Sequence, residues 1–359
     1  MIASLLFLAV IALFGQCQTQ LDENMWENRN TIVQLFEWKW NDIADECENF
    51  LQHQGYGGVQ VSPPNENVII PNRPWWERYQ PISYILITRS GNETEFSDMV
   101  RRCNDVGVRI YVDVVISHMT ARMGTVRGTG GSVAYTDIQY YPAVPYTAIH
   151  FHPICYLNDN TKINEARNCE LLNTLNQGIE HVRFKLVDFM NRLIDLGVAG
   201  FRVEASTSMW PSDLESIFNR LNNLNTDHGF DVGSRPFIVL EVIDLGGKDI
   251  SRGEYLHLGR ITEYKFSAEI DRIFKGNGQL AHLSKWGEGR GCTTNPNPLV
   301  FVDNHVNQRG YGLEGNNILT YKESKQYRMA IAFLLAHPYG STRIMSSFAF
   351  TDLSSTEWR

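Results

Sequence analysis

Short apolar stretches with the composition of buried strands alternate along this chain with segments whose apolar residues recur at helical spacing. Thr31 to Phe36 is followed by a helical pattern from Asn41 to His53; Gly57 to Val61 precedes one from Glu95 to Val106, which leads into Arg109 to Ile116. A long helix with the apolar face Ile179, Val182, Leu186, Phe189, Met190, Leu193 and Ile194 runs directly into Val198 to Val203. Pro236 to Ile243, Arg260 to Phe266, Leu299 to His305 and Thr342 to Ser346 bring the candidate strands to eight. Eight is the number that closes a (β/α)8 TIM barrel; an open doubly wound sheet is the other α/β architecture that the rhythm allows. One connection breaks the pattern. From Met119 to about Thr174 the chain is rich in Gly, Tyr, Pro and Asn without clear periodicity, too long for a βα loop, and reads as a small domain inserted after the third strand.

Residues 1–20 carry no charged side chain, and Ile2 to Phe14 is an apolar run too short to span a bilayer but suited to the central region of a secretory signal. The chain therefore divides into a signal peptide (1–18, with the mature chain starting near Gln16 to Gln20), a first barrel part (19–118), the inserted domain (119–175) and a second barrel part (176–359). No later stretch is apolar for long enough to be a membrane helix, because Leu334 to Ala336 is soon interrupted by His337 and Pro338. The reading is a soluble, secreted protein. A net charge of −8 without a basic run argues against a nucleic-acid partner and leaves uncharged substrates open. Of six cysteines, Cys17 falls in the leader, so five remain and one is odd; spacing alone does not assign pairs. Asn92-Glu93-Thr94 is a glycosylation sequon.

Polar groups gather where the candidate strands end: Asp113 and His118, Arg202 and Glu204, Glu241, then Asp303 and His305. In a barrel these ends share one rim, which is where active sites are built. Glu241 is flanked by Val239, Leu240, Val242 and Ile243, so a poorly solvated carboxyl with a raised pKa, fit for a general acid, is expected. A buried acid paired with a nearby Arg or His is the plainer reading. Pro74 to Tyr79 sets Trp75, Trp76 and Tyr79 close together, flat amphipathic rings on which a sugar can stack and which core packing explains equally well.

The stretch from Asn30 to about Phe348 resembles an animal α-amylase, a retaining hydrolase of α-1,4-glucans in starch and glycogen. Four runs carry the likeness: GGVQVSPPNENV from Gly57 to Val68, RPWWERYQP from Arg73 to Pro81, IDLGVAGFR from Ile194 to Arg202, and LAHPYG from Leu335 to Gly340. The resemblance implies a barrel with an inserted domain after strand 3, an α-glucan oligosaccharide or polysaccharide as partner, a monomer when complete, and a C-terminal all-β domain that this chain, reaching Arg359 soon after strand 8, lacks. It places the acid/base on Glu241, substrate contacts on Tyr79, His118 and His305, with Trp75 and Trp76 beside them, and chloride ligands on Arg202, Asn304 and Arg343. By family position Cys47 pairs with Cys103 and Cys155 with Cys169, leaving Cys292 free.

The match is incomplete. The family's nucleophilic aspartate is Glu204 here, and its third catalytic acid is Val306. Of the calcium-ligand positions, Ser117, Thr174 and Ser208 replace an asparagine, an aspartate and a histidine, and Arg167, a backbone-carbonyl ligand, is retained. A retaining glycosidase needs its two carboxyl groups about 5–5.5 Å apart. An added methylene moves the attacking oxygen by about 1 Å, enough to cost roughly 10²-fold in rate. Loss of a charge-stabilising group costs on the order of 10²–10³. The expectation is a secreted homologue with chloride but without calcium, impaired in hydrolysis. Two further readings stay open: a working α-amylase that tolerates Glu204, with Asp303 standing in for Val306, and a non-enzymatic carbohydrate-binding protein.

Overall fold

The computed structural model describes residues 20–153, 172–246, 250–310 and 318–346. The leader, Cys155, Cys169 and Arg167 lie outside them. Eight parallel strands form a closed barrel: β1 (Thr31–Leu35), β2 (Tyr56–Val61), β3 (Arg109–Val114), β4 (Gly200–Val203), β5 (Phe237–Leu240), β6 (Arg260–Thr262), β7 (Pro298–Val300) and β8 (Ser341–Met345). Each pairs with its neighbours in sequence, and β1 closes onto β8 through Thr31↔Thr342 to Gln34↔Met345, which rules out the open sheet. Strands covered on both faces need apolar residues at nearly every position, and Val59, Val61, Ile110, Val112 and Val114 are all fully buried. Gly200 is required by close approach: a Cβ there would lie 2.3 Å from the Phe237 carbonyl oxygen on β5.

The outer layer comprises α1 (Trp40–Asn49), α2 (Glu93–Asp105), α3 (Glu180–Asp195), α4 (Pro211–Phe218), α5 (Tyr264–Arg272) and α6 (Ser324–Ala336). The apolar stripe expected on α3 turns inward, with Val182, Leu186, Phe189, Met190, Leu193 and Ile194 buried. Asn92 is exposed and caps α2: its side chain accepts from the Glu95 amide at 3.1 Å while Glu95 returns a bond to the Asn92 amide. A Cys47–Cys103 disulfide ties α1 to α2, as family position implies, and Cys292 is buried without a disulfide.

Two strands end earlier than the apolar runs suggest. β6 stops at Thr262, and α5 begins at Tyr264, inside the stretch read as strand; β7 stops at Val300, although Phe301 and Val302 remain buried. Burial alone keeps those residues apolar, so hydrophobicity overstates the paired length. Between β3 and β4 the chain forms two small antiparallel sheets, His118–Met119 with Asn173–Thr174 and Thr125–Arg127 with Val133–Tyr135. His118 thus belongs to the first of these sheets, beyond the end of β3.

Candidate active site

The barrel register sets Asp113 on β3 directly opposite Arg202 on β4, and the site grows from that pair. Arg202 Nη1 lies 2.7 Å from Asp113 Oδ1 and also contacts Glu204, while Nη2 contacts Glu241, so one buried guanidinium serves three carboxylates. The Tyr79 hydroxyl donates to the other Asp113 oxygen at 2.8 Å. Burial pushes the Asp113 carboxyl up, opposed by Arg202 and Tyr79. Burial also raises Glu204 well above the usual carboxylate range, with Arg202 opposing and Glu241 and Asp113 adding to the rise. The extra methylene of Glu204 lets its carboxyl fold back onto Arg202, two residues earlier in the chain.

Glu241 follows the last residue of β5. Its Oε2 accepts from the Ala205 amide at 3.0 Å, and its Oε1 accepts from the Tyr264 hydroxyl at 3.2 Å. Ala205 reaches it from a left-handed backbone, φ 47°, a conformation that costs energy for a residue with a Cβ and is concentrated at functional sites. Glu241 is 6% exposed, poorly solvated as its apolar neighbours lead one to expect, and its carboxyl meets Arg202, so the arrangement is that of a buried acid paired with arginine. The sequence reading missed Tyr264 by placing it within a strand. It lies two residues beyond the end of β6, an end that the apolar run through Phe266 conceals.

The aromatic wall is a 3-10 turn, Trp75–Tyr79. Its base is fixed by ion pairs to two buried acids: Glu37 with Arg78 and Arg89, and Glu77 with the partly exposed Arg73 at 2.7 Å and with Arg89 at 3.2 Å. His305 is sandwiched between Phe36 and Tyr79, ring centroids 4.7 and 5.2 Å away, with Trp75 edge-on at 5.6 Å. The Gln34 side chain, 3.0 Å from His305 Nδ1, sets the ring's rotation. Burial, with Arg202, Arg309 and Arg343, drives the His305 pKa well below its usual value and keeps the ring neutral. His118 is pinned between the Tyr79 carbonyl at 2.9 Å and Ser117 Oγ at 2.7 Å. Trp75 is 6% exposed and packs against this cluster, whereas Trp76 is only half-buried and keeps surface for a ligand.

Asp303 does not stand in for the carboxylate absent at 306. Its Oδ1 accepts from the Tyr327 hydroxyl of α6 at 2.8 Å and its Oδ2 from Gln308 at 2.9 Å, and burial pushes it up to about 7. Both oxygens are engaged away from the Arg202 cluster. Val306 packs against the apolar group of Phe36, Trp75, Tyr79, Val115 and Met345. Asn304 organises this turn, its Oδ1 accepting from the Val306 and Asn307 amides at 2.8 and 2.9 Å.

Arg343 donates to Gln60 at 2.9 Å and lies over the Phe301 ring at 4.8 Å; burial, then Arg202, lowers it to about 10. Arg202 Nε and Arg343 Nε are buried donors without a hydrogen-bond partner. Two buried guanidinium groups acting on each other, each with an orphan donor, fit a small anion. The described cation positions do not suit calcium. Ser117 Oγ is engaged by His118, Thr174 Oγ1 is 3.4 Å from the Leu172 carbonyl, and Ser208 ends a 3-10 turn, so these three positions offer hydroxyls where a hard dication prefers charged oxygen ligands. Among the described residues no group of three or more His, Cys, Asp or Glu side chains could hold a metal ion.

No family profile matches the chain. It is 58% identical to an α-amylase of Tenebrio molitor over 335 residues, 93% of this chain and 70% of that protein. It is 56% identical to an α-amylase-related protein of Drosophila auraria over 336 residues, 93% of this chain and 67% of that one. In structure it matches wild-type α-amylase I of Eisenia fetida with a TM-score of 0.88 at 45% identity, covering 91% of this chain and 68% of that one. A variant of the same earthworm enzyme, solved as a complex with maltohexaose, matches with the same TM-score at 44% identity and the same coverage. Sequence identity and the closed barrel agree: this chain belongs to the α-amylase family.

Proposed function

We propose that this chain is a secreted α-glucan-binding α-amylase homologue whose hydrolysis is impaired. The observation that carries the reading is the contact of Glu204 with Arg202, the guanidinium that also holds Asp113 and Glu241. A nucleophile must present a free, ionised oxygen to the anomeric carbon at a fixed separation from the acid, and here the carboxyl is folded onto an arginine while burial disfavours its charged form. At 306 no carboxylate remains to support oxocarbenium charge, and Asp303 is committed to Tyr327. The residue types at the family's substrate-contact positions are retained, with Trp76 half-buried and Tyr79, His118 and His305 buried near the acids, and Glu241 is read as the acid/base. Arg202, Asn304 and Arg343 would hold chloride, which would supply a negative charge between two buried guanidinium groups; calcium is not part of the reading. Affinity electrophoresis in starch-containing gels tests the binding half, with retardation expected. Migration unaffected by starch would contradict it.

A further inference from the structure

Tyr264 is fully committed to the centre of the site without being one of the acids. Its hydroxyl donates to Glu241 Oε1 at 3.2 Å and accepts from Asn304 Nδ2, also at 3.2 Å. The Asn304 amide cannot turn away, because its Oδ1 is held by the backbone amides of Val306 and Asn307. One N–H of Asn304 is therefore directed at the tyrosine oxygen, and that oxygen stands between the acid and a residue of the anion position. Tyr264 is 6% exposed, at the first position of α5, so packing fixes the hydroxyl.

We propose that Tyr264 competes with chloride for Asn304, so that this chain holds chloride less tightly than it would with a phenylalanine at 264. The inference rests on the anion site placed at Arg202, Asn304 and Arg343. A hydroxyl hydrogen-bonded to Glu241 presents its lone pair to Asn304, satisfying a donor that would otherwise add to the pull of the two arginines on an anion. Removing that oxygen leaves the Asn304 N–H buried and unpaired until an anion accepts it, which moves affinity in the direction opposite to ordinary damage.

Chloride titrations of the whole chain followed by calorimetry, for wild type, Tyr264→Phe and Arg343→Gln, test this. Tyr264→Phe is expected to bind chloride about fivefold more tightly, the value of one net hydrogen bond, and Arg343→Gln to lose binding. Binding detected in Tyr264→Phe but not in wild type also supports the inference. Equal or weaker affinity in Tyr264→Phe, with binding abolished in Arg343→Gln, overturns the role of Tyr264 and leaves the anion site standing. No chloride binding by either wild type or Tyr264→Phe overturns both.

Discussion

The Tyr327 hydroxyl donates to Asp303 Oδ1 at 2.8 Å, joining the chain just beyond β7 to helix α6 through a fully buried carboxyl. That acid titrates at about 7 in the folded protein, driven there by burial, against about 3.9 in an unfolded chain. The folded state thus keeps its proton to higher pH. The stabilisation this provides is complete below the unfolded value and is lost as pH rises through about 7.

Wild-type stability is accordingly expected to fall between about pH 5 and about pH 8, by up to about 3 kcal/mol from this group. Asp303→Asn, which cannot ionise, should flatten that decline. Urea unfolding midpoints at both ends of the range measure it, and an equal decline in the variant would show that Asp303 is not the source.

Calcium should leave the protein unmoved. Ser117, Thr174 and Ser208 offer hydroxyls already engaged or uncharged, so millimolar calcium or a chelator should shift the melting temperature by less than about 1 °C. A rise of several degrees on adding calcium would refute the hydroxyl argument.

The Cys47–Cys103 disulfide spans 56 residues and ties α1 to α2. Replacing both cysteines with alanine should lower unfolding free energy by about 4 kcal/mol, the loop-closure expectation for that length. Denaturant titration of the paired variant checks this, and an unchanged midpoint would place the stabilisation elsewhere.

Much of the architecture was legible because a buried parallel strand and an amphipathic helix leave different periods in sequence. All eight strands and the inward face of α3 follow from that contrast. The ends of β6 and β7 were not legible, since Phe266, Phe301 and Val302 are apolar for packing and not for pairing. In the site, residue types at strand ends brought Asp113, Arg202, Glu204 and Glu241 to one rim. How Arg202 divides itself among three acids depends on side-chain reach across β3, β4 and β5, which no local pattern encodes. Tyr264 was hidden for the same reason, because its partners lie 23 and 40 residues away.

The measurement that bears most directly on the impaired-site account is reducing-sugar release from soluble starch by wild type and by the double variant Glu204→Asp with Val306→Asp. Shortening residue 204 withdraws its carboxyl from Arg202, and the second change restores a carboxylate beside His305. The account predicts wild-type turnover near background and a gain of at least about 10²-fold in the double variant. Wild-type turnover in the ordinary enzymatic range, on the order of 10–10³ per second, would contradict it.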